Sequence, residues 1–456
     1  LVSGAAGDAT GDLATVTVRI YAGGTATGTA VRTLTATRTG QPWAVAVTPV
    51  LTSGTYTATA TQADDVGNST TSAPRTFVVD ATPPAGLTIT TPAANAWLAN
   101  DRPVFAGAAG NATGDQPTVI VKVYAGAAAT GTPVRELFTT RSGAAWTLTP
   151  APGEALTDGQ YTAQLEQSDT VGNLGRSAAV TFRVDTTAPA VVITAPVTGS
   201  RTLSQPAITG TAGTQTGDGS TVTVEIWTGT TAAGPPLRTL TTTRNATTGA
   251  WTLTPAVLPD GPYAIRASQS DAAGNTGRSA VVTITADGTR PTAHAFGAAN
   301  AGGPGTTSGH LDSGDTLTFT YSEAMSPASI LAGWSGAATP VRARFFNNGN
   351  NDTLGFLNDA ATAALGITSG GTTSGGVSLR RNFVTGQVTF AATMTRSPDG
   401  RSVTIVLGAP DVPARIAGGQ VAARDMRWTT NTAARDVAGN AIASATISES
   451  DGDRDF

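Results

Sequence analysis

Six aspartates stand at matched places along this 456-residue chain: Asp80, Asp115, Asp169, Asp185, Asp218 and Asp271. Asp169 and Asp271 each open a pentapeptide Asp-x-x-Gly-Asn, which also occurs at Asp64–Asn68 and Asp436–Asn440. Asp80 and Asp185 directly precede proline-bearing linkers, and Asp287 does the same further on. An ionised carboxylate is a hard oxygen donor. Several of them converging beside loop carbonyls suit a hard cation such as Ca2+. The competing use is structural, because Asp and Asn in tight turns bond their own backbone while Gly supplies the positive φ.

Little in the chain points to catalysis. His294 and His310 are the two histidines, and neither sits in a motif. His310, Asp312 and Ser313 are neighbours in sequence, which is not the geometry of a catalytic triad. No Gly-x-Ser-x-Gly elbow, zinc-type spacing or phosphate loop occurs. Asp451-Gly452-Asp453-Arg454-Asp455 alternates carboxylates but lacks the closing Glu of an EF-hand, and reads as a solvated tail. A protein that is not an enzyme is expected.

The elements that must position the aspartates are strands. Asp158–Pro189 opens with Asp-Gly and Tyr161, alternates into Asp169–Asn173, alternates again and closes at Asp185. Ser53–Pro83 and Asp260–Pro291 repeat that plan around Tyr56 and Tyr263. Upstream, Val119, Val121 and Val123 alternate with Thr118, Ile120 and Lys122, and the matching runs carry Val16, Val18, Ile20 and Val222, Val224, Ile226. Period-two patterning between Gly, Pro, Asn and Asp marks half-buried antiparallel strands. Trp43, Trp146 and Trp251 recur about every hundred residues, too long a period for a solenoid and right for whole domains in tandem. Their place on alternating strands predicts core packing. About seven strands per repeat is the count of an immunoglobulin-like sandwich, and the tyrosines fall where a tyrosine corner would.

The predicted fold is all-β: tandem immunoglobulin-like β-sandwiches over residues 1–83, 84–188 and 189–290, then a larger, decorated β-sandwich over 291–456. In that topology Asp80 should approach Asp115 and Asp169 of the next module, and Asp185 should approach Asp218 and Asp271. Asp287, facing Asp312 and Asp315, is a weaker third site. The first repeat is short: Val2–Asp12 aligns with Phe105–Asp115, and nothing matches Gly86–Pro103. Its first strand is therefore missing. Either the chain is a processed piece, as its start at Leu1 suggests, or a strand from a neighbouring chain fills the gap, as in donor-strand polymers.

In the last domain, Leu317, Phe319 and Tyr321 share one strand face, and Ser326-Pro327 is read as N-cap and N1 of a short helix. Arg342–Phe346, Gln387–Thr393, Ser402–Leu407, Val421–Trp428 and Ala441–Ser448 read as strands. Trp334, Trp428 and the Phe345-Phe346 pair are the candidates for a binding surface.

Composition agrees with many short strands. Charged residues are 13% of the chain, against a typical share of about 25%, and there are 54 Gly and 26 Pro. The net charge is −4 and Lys122 is the only lysine, so nothing draws this surface to nucleic acid. No apolar run is long enough to insert in a membrane. Cysteine is absent, so cores or metals must supply the stability.

The Asp-x-x-Gly-Asn hairpins, the closing Val79-Asp80 and Val184-Asp185 and the period resemble the bacterial Ig-like repeats of large secreted adhesins and surface stalks, over residues 1–291. Thr318–Ile330 resembles a second bacterial Ig-like type, found in surface-layer proteins. Ala286-Asp287 departs from the linker pattern. The resemblance implies an extracellular or cell-surface, non-catalytic role, and related repeats use calcium to stiffen their linkers. The expected function is a stalk or filament used in adhesion, self-associating or touching a neighbouring surface protein. One alternative is a glycan- or protein-binding module that recognises its partner through the C-terminal domain. Another is an accessory region of a larger secreted enzyme.

Overall fold

The computed structural model describes residues 1–302, 308–417 and 424–449. The chain divides into two compact units, Leu1–Thr187 with Ala273–Asn275, and Ala188–Ala272 with Thr276–Phe456.

In the first unit, the second repeat is a complete two-sheet module. One sheet has the order Ala145–Leu148, Phe105–Ala108, Thr88–Thr91. The other runs Arg135–Thr140, Asp115–Ala125, Gly159–Asp169, Val180–Val184, Ala96–Leu98, with Leu174–Arg176 also paired to Gly159–Asp169. Alternation sends Val119, Val121 and Val123 inward, where all three are fully buried against Trp146, Leu165 and Phe182. Each such side chain contributes roughly 1.5–3 kcal/mol by leaving water. The strand at Ala96–Leu98 lies parallel to Val180–Val184 and escapes a pattern-based reading because three residues cannot show a period.

The first repeat has the same large sheet, Arg32–Thr37, Asp12–Ala22, Gly54–Asp64 and Ser69–Thr71, with Arg75–Val79 on Gly54–Asp64. Its small sheet has two strands, Val2–Ala5 and Pro42–Val45. Among the described residues of the first repeat no strand matches Thr88–Thr91, since Val2 already aligns with Phe105. Phe77 is accordingly only half-buried, whereas its counterpart Phe182 is buried.

In the second unit, the third repeat pairs Val191–Ala195, Ile208–Ala212 and Ala250–Leu253 in one sheet. Its facing sheet runs Ser200–Leu203, Val282–Asp287, Gly261–Ser270, Thr221–Thr228, Arg238–Thr243. All three expected tyrosine corners form: Tyr56 donates to Thr52 O at 3.0 Å, Tyr161 to Thr157 O at 2.9 Å and Tyr263 to Pro259 O at 2.9 Å. Trp43, Trp146 and Trp251 are core residues.

The C-terminal domain follows one nine-stranded hydrogen-bonded path from Ala293–Ala299 to Thr446–Ser448. The path curls around a single core, and its first and last strands meet. The helix is one turn, Pro327–Ile330, with Pro at N1. Ser326 occupies the N-cap without a side-chain capping bond; Ser329 Oγ donates to its carbonyl instead. The strand expected over Val421–Trp428 is Arg427–Thr429, with 421–423 outside the described residues. The alternating carboxylates of 451–455 also lie outside them.

Candidate functional site

The Asp-x-x-Gly-Asn loop is a self-contained device. Asp169 Oδ1 accepts the N–H groups of Val171 at 3.0 Å and Asn173 at 2.9 Å, and its Oδ2 accepts Asn173 Nδ2 at 2.6 Å. Gly172 supplies the left-handed residue of the turn, at φ 97°. Asp64 with Asn68 and Asp436 with Asn440 repeat the same bonds. At Asp169, burial works against the charge, but the donors from Asn173 and its loop outweigh it and hold the carboxyl below its usual range. Asp115 and Asp218 build their own turns by accepting from Ala112 N and Gln215 N. Asp80 and Asp185 accept from Thr82 N and Thr187 N.

The structure brings some of the six aspartates together. Asp115 and Asp169 are cross-strand partners, and Asp218 bridges to Asp271. What reaches back to the preceding module is the loop asparagine. Asn173 Nδ2 donates to the Asp80 carbonyl at 3.1 Å, and Asn275 Nδ2, which clusters with the first unit, donates to the Asp185 carbonyl at 2.7 Å. Within the second unit, Asn440 Nδ2 donates to the Asp287 carbonyl at 3.0 Å. Sequence reasoning singled out the motif for its aspartate; it did not single out the asparagine that makes these bonds.

Each exit linker is also held from its own module, by the residue that opens the penultimate hairpin. Ser53 Oγ accepts from Ala81 N at 2.9 Å. Asp158 accepts from Thr186 N and Thr186 Oγ1, both at 2.9 Å, and from Thr187 Oγ1 at 2.7 Å. Asp260 accepts from Gly288 N and Thr289 Oγ1, both at 2.6 Å. The threonine hydroxyls hold both carboxyls below the usual range.

Among the described residues, one group of three carboxylates has ligand atoms all within 4.8 Å of one another: Asp287, Glu323 and Asp436. Asp287 and Glu323 line a 430 Å3 cavity together with Arg201, Asp399 and Arg401. Glu323 Oε1 is buried without a hydrogen-bond partner. Burial first, then Asp287 and Asp436, push the Glu323 carboxyl up to about 7. Asp287 thus meets Glu323 and Asp436 rather than the expected Asp312 and Asp315. Asp315 is instead fully buried, pinned by Ala301 N and Asp312 N. Asp436 was legible from its motif, but Glu323 has no counterpart in the repeats and no sequence signal marked it.

The aromatic residues suggested for a binding surface are core. Trp428 is 0% exposed, ringed by Phe296, Phe319 and Tyr321, and donates to Ile367 O. Trp334, Phe345 and Phe346 are buried as well. An aromatic on an alternating strand reads the same whether it faces core or solvent until the facing layer is known. His310 Nδ1 lies 3.6 Å from Asp312, while Ser313 is exposed. No helix among the described residues is long and apolar enough to cross a membrane.

The model of the bacterial Ig-like domain matches residues 5–81, 91–186 and 201–288. The chain belongs to that family, with three copies in tandem. No curated protein matches it. A solved tetra-tandem repeat from the extending region of a large adhesion protein is 18% identical, with a TM-score of 0.28, over 98% of this chain and 94% of that one. Fibronectin(III)-like modules of Clostridium thermocellum CbhA are 18% identical, with a TM-score of 0.26, over 44% of this chain and 93% of theirs. The FN1–FN3 domains of chicken CNTN1 are 14% identical, with a TM-score of 0.28, over 60% and 90%.

Proposed function

We propose that this chain is a non-catalytic structural protein of the cell exterior, a stalk of tandem modules used in adhesion. The observation that carries the reading is the bond from each loop asparagine to the last aspartate carbonyl of the module before it, made three times. A repeated bond at the same place in successive modules is what passing force along a chain requires. Each contributes about 0.5–1.5 kcal/mol. The Ser53, Asp158 and Asp260 clamps reduce the freedom of the linkers further, and proline in each linker fixes another dihedral.

A hard cation such as Ca2+ belongs to the same proposal. Asp287, Glu323 and Asp436 would hold it, and the buried, unpartnered Glu323 Oε1 fits that use. Bound there, the ion would offset most of the charge of three crowded carboxylates and tie the third repeat to the last domain. The proposal extends to Asp80 with Asp115 and Asp169 within the first unit. Their oxygens keep acceptor sites beyond those the loops use.

Distances between spin labels on adjacent modules test the reading. Narrow distributions that broaden in Asn173→Ala and Asn440→Ala support it. Distributions as broad in the parent as in the variants would remove it.

A further inference from the structure

The three repeats share one framework but not one outer face. On the large sheet of the second module, Ile120 is the cross-strand partner of Phe138 on one side and of Glu166 on the other, and Ser168 pairs with Leu174. At the same register positions as Ile120, Phe138 and Leu174, the first module has Thr17, Thr35 and Ser69, and the third has Thr223, Thr241 and Thr276. Small hydroxyl residues therefore suffice to build this sheet, and the fold does not require the apolar set of the second module. Among the described residues Phe138 is the one exposed aromatic side chain, at 60%. Leu174 is exposed and Ile120 half-buried beside it. An aromatic ring and two aliphatic side chains left in water, where both sibling modules place hydroxyls, mark a contact surface.

The groups around this surface select the kind of partner. Between Ile120 and Leu174 lies a shallow cavity of about 120 Å3, also lined by Gln116, Thr118 and Ser168. Glu166, at its floor, is buried; its Oε2 lies 2.9 Å from Lys122 Nζ and its Oε1 accepts Arg176 Nε at 2.8 Å. Lys122 also faces Glu136 at 3.5 Å. Two cations and two carboxylates cancel in place, so no net field draws a charged partner. Arg176 spends only Nε on Glu166, and its exposed Nη groups remain donors. Three apolar side chains fall far short of the roughly 20–30 residues a side that a stable protein interface uses. A pyranose ring fits this surface better. Its C–H face is apolar, its edge is a belt of hydroxyls, and it needs one aromatic face with a few fixed polar groups nearby.

We propose that the outer face of the second module binds a neutral oligosaccharide laid across its strands. One ring stacks on Phe138 and Ile120, and the next sits over the cavity with its hydroxyls toward Thr118, Ser168 and Arg176. From Phe138 to Arg176 is three strand spacings, about 14 Å, which a short oligosaccharide spans. This adds recognition along the side of the stalk, beyond the load-bearing role, and depends on neither the junction bonds nor a cation. Label distances can fail while the sugar still binds, and sugar binding can fail while the modules remain fastened.

The test puts the whole chain on an array of neutral and sialylated oligosaccharides. Retention on at least one neutral glycan is expected. Affinity for it should fall about tenfold in Phe138→Thr and in Ile120→Thr, and should be kept in Phe138→Trp, which preserves a ring. Both threonine variants install the residue that the sibling modules carry, so the melting temperature should stay at the parent value. Absence of retention on every neutral glycan, retention confined to sialylated ones, or equal retention of both threonine variants would overturn the proposal. So would sedimentation showing a dimer of the parent chain that Phe138→Thr dissolves, which would make this face a contact between copies.

Discussion

In the second module and the last domain, the asparagine that ends the Asp-x-x-Gly-Asn loop uses both hydrogens of one amide. Asn173 Nδ2 gives one to Asp169 Oδ2 and the other to the Asp80 carbonyl; Asn440 does the same toward Asp436 and Asp287. Only an amide offers two donors on one atom at this reach. Asn173→Ala is expected to cost about 1 kcal/mol in the second module and to loosen its hold on the first, read by thermal melting and label distances. Asn173→Asp should cost more, because it sets a carboxylate against Asp169. Glu323 makes a second prediction. Its folded carboxyl titrates near 7, above its ordinary value of 4.5, so the native state holds a proton that the unfolded state has released. Without divalent cation, stability of this unit should therefore fall as pH rises from about 4.5 to about 7. Calcium should abolish that slope by favouring the ionised form, and Glu323→Gln should abolish it without calcium. Melts of the cation-free protein that do not vary across this range would contradict the assignment.

At the scale of elements, the linkers differ in how they are clamped. Asp158 offers a charged carboxylate to three donors, whereas Ser53 offers a neutral hydroxyl to Ala81 N and to the Thr82 hydroxyl. Asp158→Ala should cost about 1 kcal/mol, since exposure and solvent screen the interaction, and should free the linker at Thr186 and Thr187. Because its folded carboxyl titrates below the usual range, this contribution is complete above that range and disappears as pH falls through the folded value. Ser53→Asp should tighten the first linker, seen as a narrower label distribution. The long strands were legible because burial on one face imposes a period of two, as at Val119, Val121 and Val123. Ala96–Leu98 was not, being too short for any period. The curl of the last domain was not legible either, so Trp428 and Phe345 read as surface candidates although they form its centre. Asp287 and Asp436 could be found from local motifs. Glu323 is brought to them by tertiary structure alone.

At the scale of the whole molecule, each module has its own core. Among the described residues, four hydrophobic clusters each draw on one stretch of chain, and that of the first module is the smallest. The first module, which has the smallest cluster, should unfold at the lowest force or temperature. The most direct test of the central claim, independently folded modules fastened end to end, is to stretch the whole chain as single molecules. Separate unfolding steps are expected: each repeat of about a hundred residues should release about 300 Å, and the last domain a longer length. A single cooperative rupture releasing the entire chain would contradict it.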